Sequence, residues 1–411
     1  MKLKKLLSVA LGILTAIGGF VDAGDLVTNA VVGSRFGMSL TWAVVIGVLG
    51  ICVYSEMSGR IAAVSGRATF DLVRERLGPR VGLANLVASM AVTFLTLVAE
   101  IGGLALALEL LSSVSYLLIV PFLALLLWVV LWRAKFAAME NVVGLAGLSL
   151  IVFAVAVWQL GPSWSAFGLD ALLARKPGEE SWTTYAFYFV ALFGAAMTPY
   201  EVFFFSSGGV EEHWKPSSLA TMRANVFIGF PLGGLLSLSI AGAATLVLLP
   251  AHASVESLGA VGLPVAMALG KVGVAIMLLG FVAATFGAAC ETGLSIGYSI
   301  AQYFGFQWGK LVRPREAAAF HSIVLVSIVA AVGVLLTTVD PIMVTEISVV
   351  FSAVALPLTY FPILVVANDR RYLGDHVNGR LANGLGVVYL ILLTIISLAA
   401  LPLMIITGMG K

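Results

Sequence analysis

Along the 411-residue chain, polar positions are short interruptions between long apolar runs. A helix needs about 20 apolar residues to cross a bilayer. Eleven stretches meet or approach that length: 6–32, 40–63, 81–110, 116–131, 142–160, 185–206, 226–249, 265–298, 320–336, 343–366 and 385–406. Strand-like alternation is absent, and in lipid only helices or closed barrels satisfy their own backbone. The pattern therefore predicts an all-α integral membrane protein with no separate soluble domain. A short surface helix is expected over 69–77. The outer loop 161–184, with Pro162, Pro177 and Gly178, reads as a plain connector. The basic, apolar start of the chain resembles a signal peptide, but Asp22 and Gly24 interrupt it, so it is expected to remain as the first membrane segment.

Two runs are broken near their middles. Asp22-Ala23-Gly24-Asp25 interrupts the first, and Thr198-Pro199-Tyr200-Glu201 interrupts the sixth. Each pairs a helix breaker, Gly24 or Pro199, with carboxylates at membrane depth. Such acids are expensive and usually serve a pathway or an ion, and interrupted segments at matching positions in two halves of a chain point to a transporter's substrate site. The alternative is that Asp22, Asp25 and Glu201 hydrogen-bond to hold the unwound turns.

Composition agrees with the membrane reading: 60% of residues are hydrophobic and 11% charged, against about 25% charged in soluble proteins. Mean hydropathy is +1.06. The net charge of +2 matters less than its distribution. Of 23 Lys and Arg, four (Arg35, Arg175, Lys176 and Lys411) fall in outer segments, Lys271 lies near the outer end of the eighth span, and the remaining eighteen are inner. That bias puts the N-terminus in the cytoplasm and the C-terminus outside. Cys52 and Cys290 lie in apolar surroundings and suggest neither a disulfide nor a metal cluster. His213, His252, His321 and His376 fall in loops or at span ends without metal-ligand spacing. No nucleotide loop, catalytic triad elbow or basic nucleic-acid tract is present, so neither an enzyme nor a nucleic-acid partner is expected.

Other acids lie within the spans. Glu56 can pair with Arg60 one helical turn away, and Glu346 is close enough to an outer end to be wet. Glu291 suits either a helix-to-helix hydrogen bond or an ion contact, and Glu100, deep in the third span, either a structural pair or ion passage. The oxygen donors of Asp22, Asp25, Glu201 and Thr198, with carbonyls freed at the breaks, favour a hard divalent cation over metals that prefer sulfur or imidazole. Mg2+ keeps several waters, for which a small Thr leaves room.

The residues 22–29, Asp-Ala-Gly-Asp-Leu-Val-Thr-Asn, followed by Gly33-Ser34-Arg35-Phe36-Gly37, resemble the Asp-Pro-Gly-Asn first-helix signature of Nramp metal transporters. Ala195 to Glu201 resembles that family's sixth-helix Met-Pro-His segment, Ala99 to Gly103 its third helix, and Leu356 to Pro362 its tenth. Thr198 replaces the metal-binding methionine, Tyr200 and Phe205 the histidines, and Leu97 an aspartate; the tenth-helix glutamine position falls near Val349. This pattern is similar to the Nramp-related magnesium transporters. The resemblance implies a LeuT-type fold: two inverted repeats of five helices (1–161 and 182–367) and an extra helix (382–408), with helices 1 and 6 broken. It implies an ion held by Asp22, Asp25, Thr198 and the Ala195 carbonyl, with Glu201 beside them and Glu100 on a possible pathway. The expected partners are divalent cations and the bilayer, for a monomer in the inner membrane without a cofactor. The expected activity is Mg2+ and Mn2+ uptake without proton coupling. A proton-coupled transition-metal carrier, a Na+-coupled solute carrier or a receptor with a structural ion are the alternatives.

Overall fold

The computed structural model describes residue 17 and residues 20–172 and 180–410. Much of the first half of the expected first span, and Lys2, Lys4, Lys5, Arg175, Lys176, Pro177, Gly178 and Lys411, lie outside these residues. The described residues are helical wherever they form regular structure. Ten helices or broken helices among them are long and apolar enough to cross a membrane, matching the second to eleventh expected spans. The second half of the first span is α1 (Ala23–Phe36).

The chain continues through α2 (Thr41–Ser65), α3 (Thr69–Leu77), α4 (Pro79–Ser112) and α5 (Tyr116–Arg133). A turn of 3-10 helix joins α6 (Phe136–Gly147) to α7 (Ile151–Leu160), and α8 (Trp164–Leu172) follows. The sixth span is split into α9 (Trp182–Ala196) and α10 (Pro199–Glu211). Beyond α11 (Leu219–Ala224) and a π-helical turn come α12 (Phe230–Val247), α13 (Leu258–Phe304), α14 (Ala318–Leu335), α15 (Pro341–Ala367), α16 (Arg370–Leu373) and α17 (Arg380–Ile406). The last of these has Gly379 as its N-cap in extended conformation.

Burial separates centre from rim. In the stretch Trp182–Glu211, 89% of the most apolar window is inside the protein, against 22% for Tyr116–Arg133 and for Arg380–Ile406. The rim helices turn Phe122, Leu125, Leu398 and Ile405 outward, as suits a solvent of lipid chains. With no hydrophobic drive between helices in lipid, close approach depends on small residues. A Cβ at Gly33 of α1 would lie 2.2 Å from the Ala241 carbonyl oxygen of α12, and one at Gly194 of α9 would lie 2.3 Å from the Val349 carbonyl oxygen of α15. These two contacts press both broken helices onto their neighbours.

Three expectations change. The loop 161–184 is not a plain connector, since it contains α8, whose Phe167 ring fills the space over Gly242. The helix at 69–77 has the expected bounds, but Phe70, Leu72 and Val73 are buried and Phe70 packs on Phe203 with ring centroids 4.4 Å apart. The eighth span also runs longer than its apolar core, as α13, with a bend at Gly270 (φ 62°).

Candidate metal-ion site

The first break lies at Val21 and Asp22, just upstream of Gly24. Asp22 is extended (φ −108°, ψ −177°) and caps α1, its Oδ1 accepting the Asp25 N–H at 2.8 Å. A second acid completes the cap: Glu100 of α4, fully buried, accepts the Ala23 N–H at 3.0 Å on one carboxylate oxygen and 3.3 Å on the other. Helix N-termini carry unsatisfied N–H groups and partial positive charge, so both acids are stabilised there. Gly24 is thus not the breaker that the sequence suggested. It lies in the first turn of α1, where a Cβ would come within 3.0 Å of both Asp22 Oδ1 and Val349 Cγ2.

The second break is made by Pro199. Its ring disfavours helix at the preceding residue, and Met197 (φ −130°, ψ 54°) and Thr198 (φ −70°, ψ 137°) are indeed non-helical. Proline also has no N–H, so the Ala195 carbonyl, four residues earlier, loses its helical donor. Glu201 stands in the first turn of α10, at that half-helix's positive end. The two breaks meet: the Tyr200 hydroxyl donates to Asp22 Oδ2 at 3.2 Å.

The residues expected to bind the ion are all inaccessible, at 3% exposed for Asp22, 2% for Asp25, 4% for Ala195, 4% for Thr198 and 6% for Glu201. Asp25 Oδ1 accepts from Asn29 Nδ2 at 3.1 Å, whereas Asp25 Oδ2 and Glu201 Oε2 have no hydrogen-bonding partner among the described residues. No salt bridge among the described residues reaches Asp22, Asp25, Glu100 or Glu201. Buried acid oxygens left in this way call for a cation. Among the described residues no three His, Cys, Asp or Glu side chains are placed to hold one ion, so carboxylates alone do not form its cage. Hydroxyls, carbonyls or retained water must supply part of the shell. Sulfur is turned away: a Cβ at Gly50 would touch Met197 Sδ at 2.5 Å, and the Cys52 thiol donates to the Val226 carbonyl at 3.4 Å.

The remaining acids sort differently. Glu56 is paired, with Arg60 Nη2 at 3.0 Å and Arg223 Nε at 2.9 Å. Glu346 is half-buried and lines a small cavity of about 10 Å³ with Thr28, Tyr188 and Val349. Glu291 is half-buried on α13. Val349 does reach the site, as an apolar side chain over Gly24. Phe205 does not, since it packs edge-on against Trp214 and at a tilt against Phe230. Sequence reasoning noted Tyr200 only as a replacement and passed over Asn29, although its position four residues after Asp25 was a readable signal.

Residues 12–402 match the family model "Nramp: Natural resistance-associated macrophage protein-like". The divalent metal cation transporter MntH of Yersinia enterocolitica is 25% identical over 390 residues, 93% of this chain and 91% of that protein. A solved mutant of the Eremococcus coleocola manganese transporter superposes with a TM-score of 0.74 at 18% identity, covering 99% of this chain and 88% of that one. Mhp1, a nucleobase-cation-symport-1 family transporter, superposes with a TM-score of 0.61 at 15% identity over 96% and 90%. The fold is therefore the LeuT type, and with nearly its whole length matched, the chain belongs to the Nramp family.

Proposed function

We propose that the chain carries divalent metal cations across the membrane by alternating access, preferring Mg2+ and accepting Mn2+. The observation that carries this reading is the pair of buried, unpartnered carboxylate oxygens on Asp25 and Glu201, at the joints of two broken helices whose other donors are all oxygen. Asp22, Asp25, the Thr198 hydroxyl and the freed Ala195 carbonyl are the proposed ligands, with Glu201 beside them. The names of the Yersinia and Eremococcus relatives speak of divalent metal cations and of manganese. A hard oxygen set, with the Cys52 thiol engaged by the Val226 carbonyl, favours Mg2+ and Mn2+ over soft metals. Ca2+, which wants 6–8 ligands at longer distances, should be a poor substrate.

Within this reading, residues 1–161 and 182–367 act as the two rocking repeats, with 382–408 outside them, and the chain enters the inner membrane with its N-terminus in the cytoplasm. Proton coupling is not required. A membrane potential supplies about 2.3 kcal/mol per charge per 100 mV, roughly 4.6 kcal/mol for a divalent ion, enough for accumulation on the order of a thousandfold. Leu97, Tyr200 and Phe205 stand where proton-coupled relatives keep titratable groups. Flux into proteoliposomes across a panel of ions is the test: Mg2+ and Mn2+ should enter and Ca2+ lag far behind. Tight Cd2+ binding with no Mg2+ binding or flux would overturn the reading.

A further inference from the structure

Beside the proposed ligands, α1 and α12 enclose a small set of oxygens that nothing in the fold uses. Asn29 is 1% exposed and donates its amide nitrogen to the Asp25 carbonyl at 2.9 Å and to Asp25 Oδ1 at 3.1 Å. Its own Oδ1 is buried without a partner among the described residues, and so are Asp25 Oδ2 and the Ser237 hydroxyl. The register of the two helices places Ser237 at the same level. Gly233 of α12 faces Phe20, just before the break, and Ala241 faces Gly33. Ser237, midway between them, therefore faces the turn that carries Asp25 and Asn29. It lies against the Asp25 carboxylate as a weak side-chain donor, short of the geometry of a full hydrogen bond.

Each of these groups could be satisfied by a water molecule, and none closes a full hydrogen bond within the protein. An unsatisfied buried oxygen is a lasting penalty unless something donates to it. Isolated buried hydroxyls of this kind occur elsewhere, at Ser299 and Ser352, but here three acceptors lie side by side at the carboxylate with a free oxygen. Water bound to a divalent cation is a strong donor with its hydrogens pointing away from the metal. An ion seated at Asp25 and keeping part of its hydration shell would aim those hydrogens at such acceptors.

We propose that Asn29 Oδ1 and Ser237 Oγ form a cradle for metal-bound water, and that this cradle sets the preference for an ion that keeps its waters. The proposal rests on the divalent-cation reading above. Mg2+ dehydrates reluctantly and retains water in protein sites; an ion that sheds water more readily depends less on the cradle. Ser237→Ala removes one acceptor and no packing of consequence. Asn29→Leu removes the other while keeping the side-chain volume, and Asn29→Asp keeps an acceptor at that place.

The experiment is concentration-dependent uptake of Mg2+ and of Mn2+ into proteoliposomes by the full-length parent, these three variants and Ser299→Ala. Ser237→Ala and Asn29→Leu should each raise the apparent KM for Mg2+ about fivefold, with a smaller rise for Mn2+, so that the Mg2+-to-Mn2+ preference falls. Ser299→Ala should keep the parent's preference, and Asn29→Asp, which keeps an acceptor, should shift it less than Asn29→Leu does. Unchanged preference in both Ser237→Ala and Asn29→Leu overturns the cradle, as does an equal loss in Ser299→Ala. Thermal unfolding midpoints within a few degrees of the parent confirm intact variants. If Asn29→Leu unfolds, Ser237→Ala alone decides. A parent that moves neither ion sinks the transport reading itself, which is a different result from a parent that transports and variants that match it.

Discussion

Asp25→Asn changes one charge and almost no volume, and its two expected effects have opposite signs. Asp25 Oδ2 is buried without a partner among the described residues. An unpaired buried charge costs several kcal/mol even after relaxation. The amide that replaces it leaves an unsatisfied N–H worth about 1–3 kcal/mol. The metal-free variant should therefore be more stable than the parent by about 1–2 kcal/mol. Binding should move the other way. At a Mg2+ concentration 100 times the Kd, a ligand stabilises its protein by about 2.7 kcal/mol. Removing one partner of a buried charge pair costs about 3–5 kcal/mol, a loss of affinity on the order of a hundredfold or more. The same Mg2+ concentration should then stabilise the variant by less than about 0.5 kcal/mol. Unfolding of the detergent-purified proteins, followed by tryptophan fluorescence with and without Mg2+, reads both effects, and flux in liposomes should vanish. A variant whose Mg2+-dependent stabilisation equals the parent's refutes the assignment of Asp25 to the ion.

Five further outcomes follow from the geometry. Thr198→Met puts a soft sulfur at the second break and should lower Mg2+ affinity about tenfold or more while creating Cd2+ binding, both read by calorimetry. Glu100→Ala leaves the Ala23 N–H buried and unsatisfied, at about 1–3 kcal/mol of stability; Glu100→Gln keeps an acceptor and should lose less. With a pH-sensitive dye inside clamped vesicles, Mg2+ should enter the parent without acidifying the lumen, and acidification that tracks Mg2+ and vanishes in Glu100→Gln would show proton symport. Arg60→Met strands Glu56 with only the half-exposed Arg223 and should destabilise by about 3 kcal/mol, visible as a lowered unfolding midpoint. Asp71, on α3 outside the spans, has its carboxyl pushed up to about 6 by burial. The folded state then holds this proton more tightly than the unfolded one, so Asp71's contribution to stability falls as pH rises from about 4 to about 6. Asp71→Asn should flatten that part of the pH–stability profile.

Much of this was legible in the residues. Helices beneath lipid must be long and apolar, so every span from 40–63 onward could be located from hydropathy alone. The breaks were visible because acids and Pro199 have no other reason to stand mid-run. The exact site of the first break was not: Gly24 looks like the breaker, yet Asp22 and Glu100 together capture the helix start and move it upstream. That capture joins residues 77 positions apart, a distance that no local pattern encodes. Tyr200 was readable as a replacement but not as the donor that joins the two breaks, because its partner is on another helix. Ser237 has no sequence signature at all, since only the register of α12 on α1 brings it to Asp25. The helix at 164–172 was hidden by the prolines and glycines around it.

The sixth span is two levers joined at a pin. α9 is pressed onto α15 through Gly194. α10 is tied to other bodies: the Ser58 hydroxyl of α2 donates to the Val202 carbonyl at 2.8 Å, the Thr69 N–H of α3 donates to Ser206 at 2.9 Å, and Gln302 of α13 donates to Ser207 at 2.9 Å. Between them stand only Met197 and Thr198, where the helical ladder is interrupted and turning costs little. The pin is also where the ion is proposed to sit. A cation gripping the Ala195 carbonyl on one lever and the Thr198 hydroxyl at the joint would stiffen the hinge that must turn to release it, so occupancy and motion at this joint are one mechanical variable.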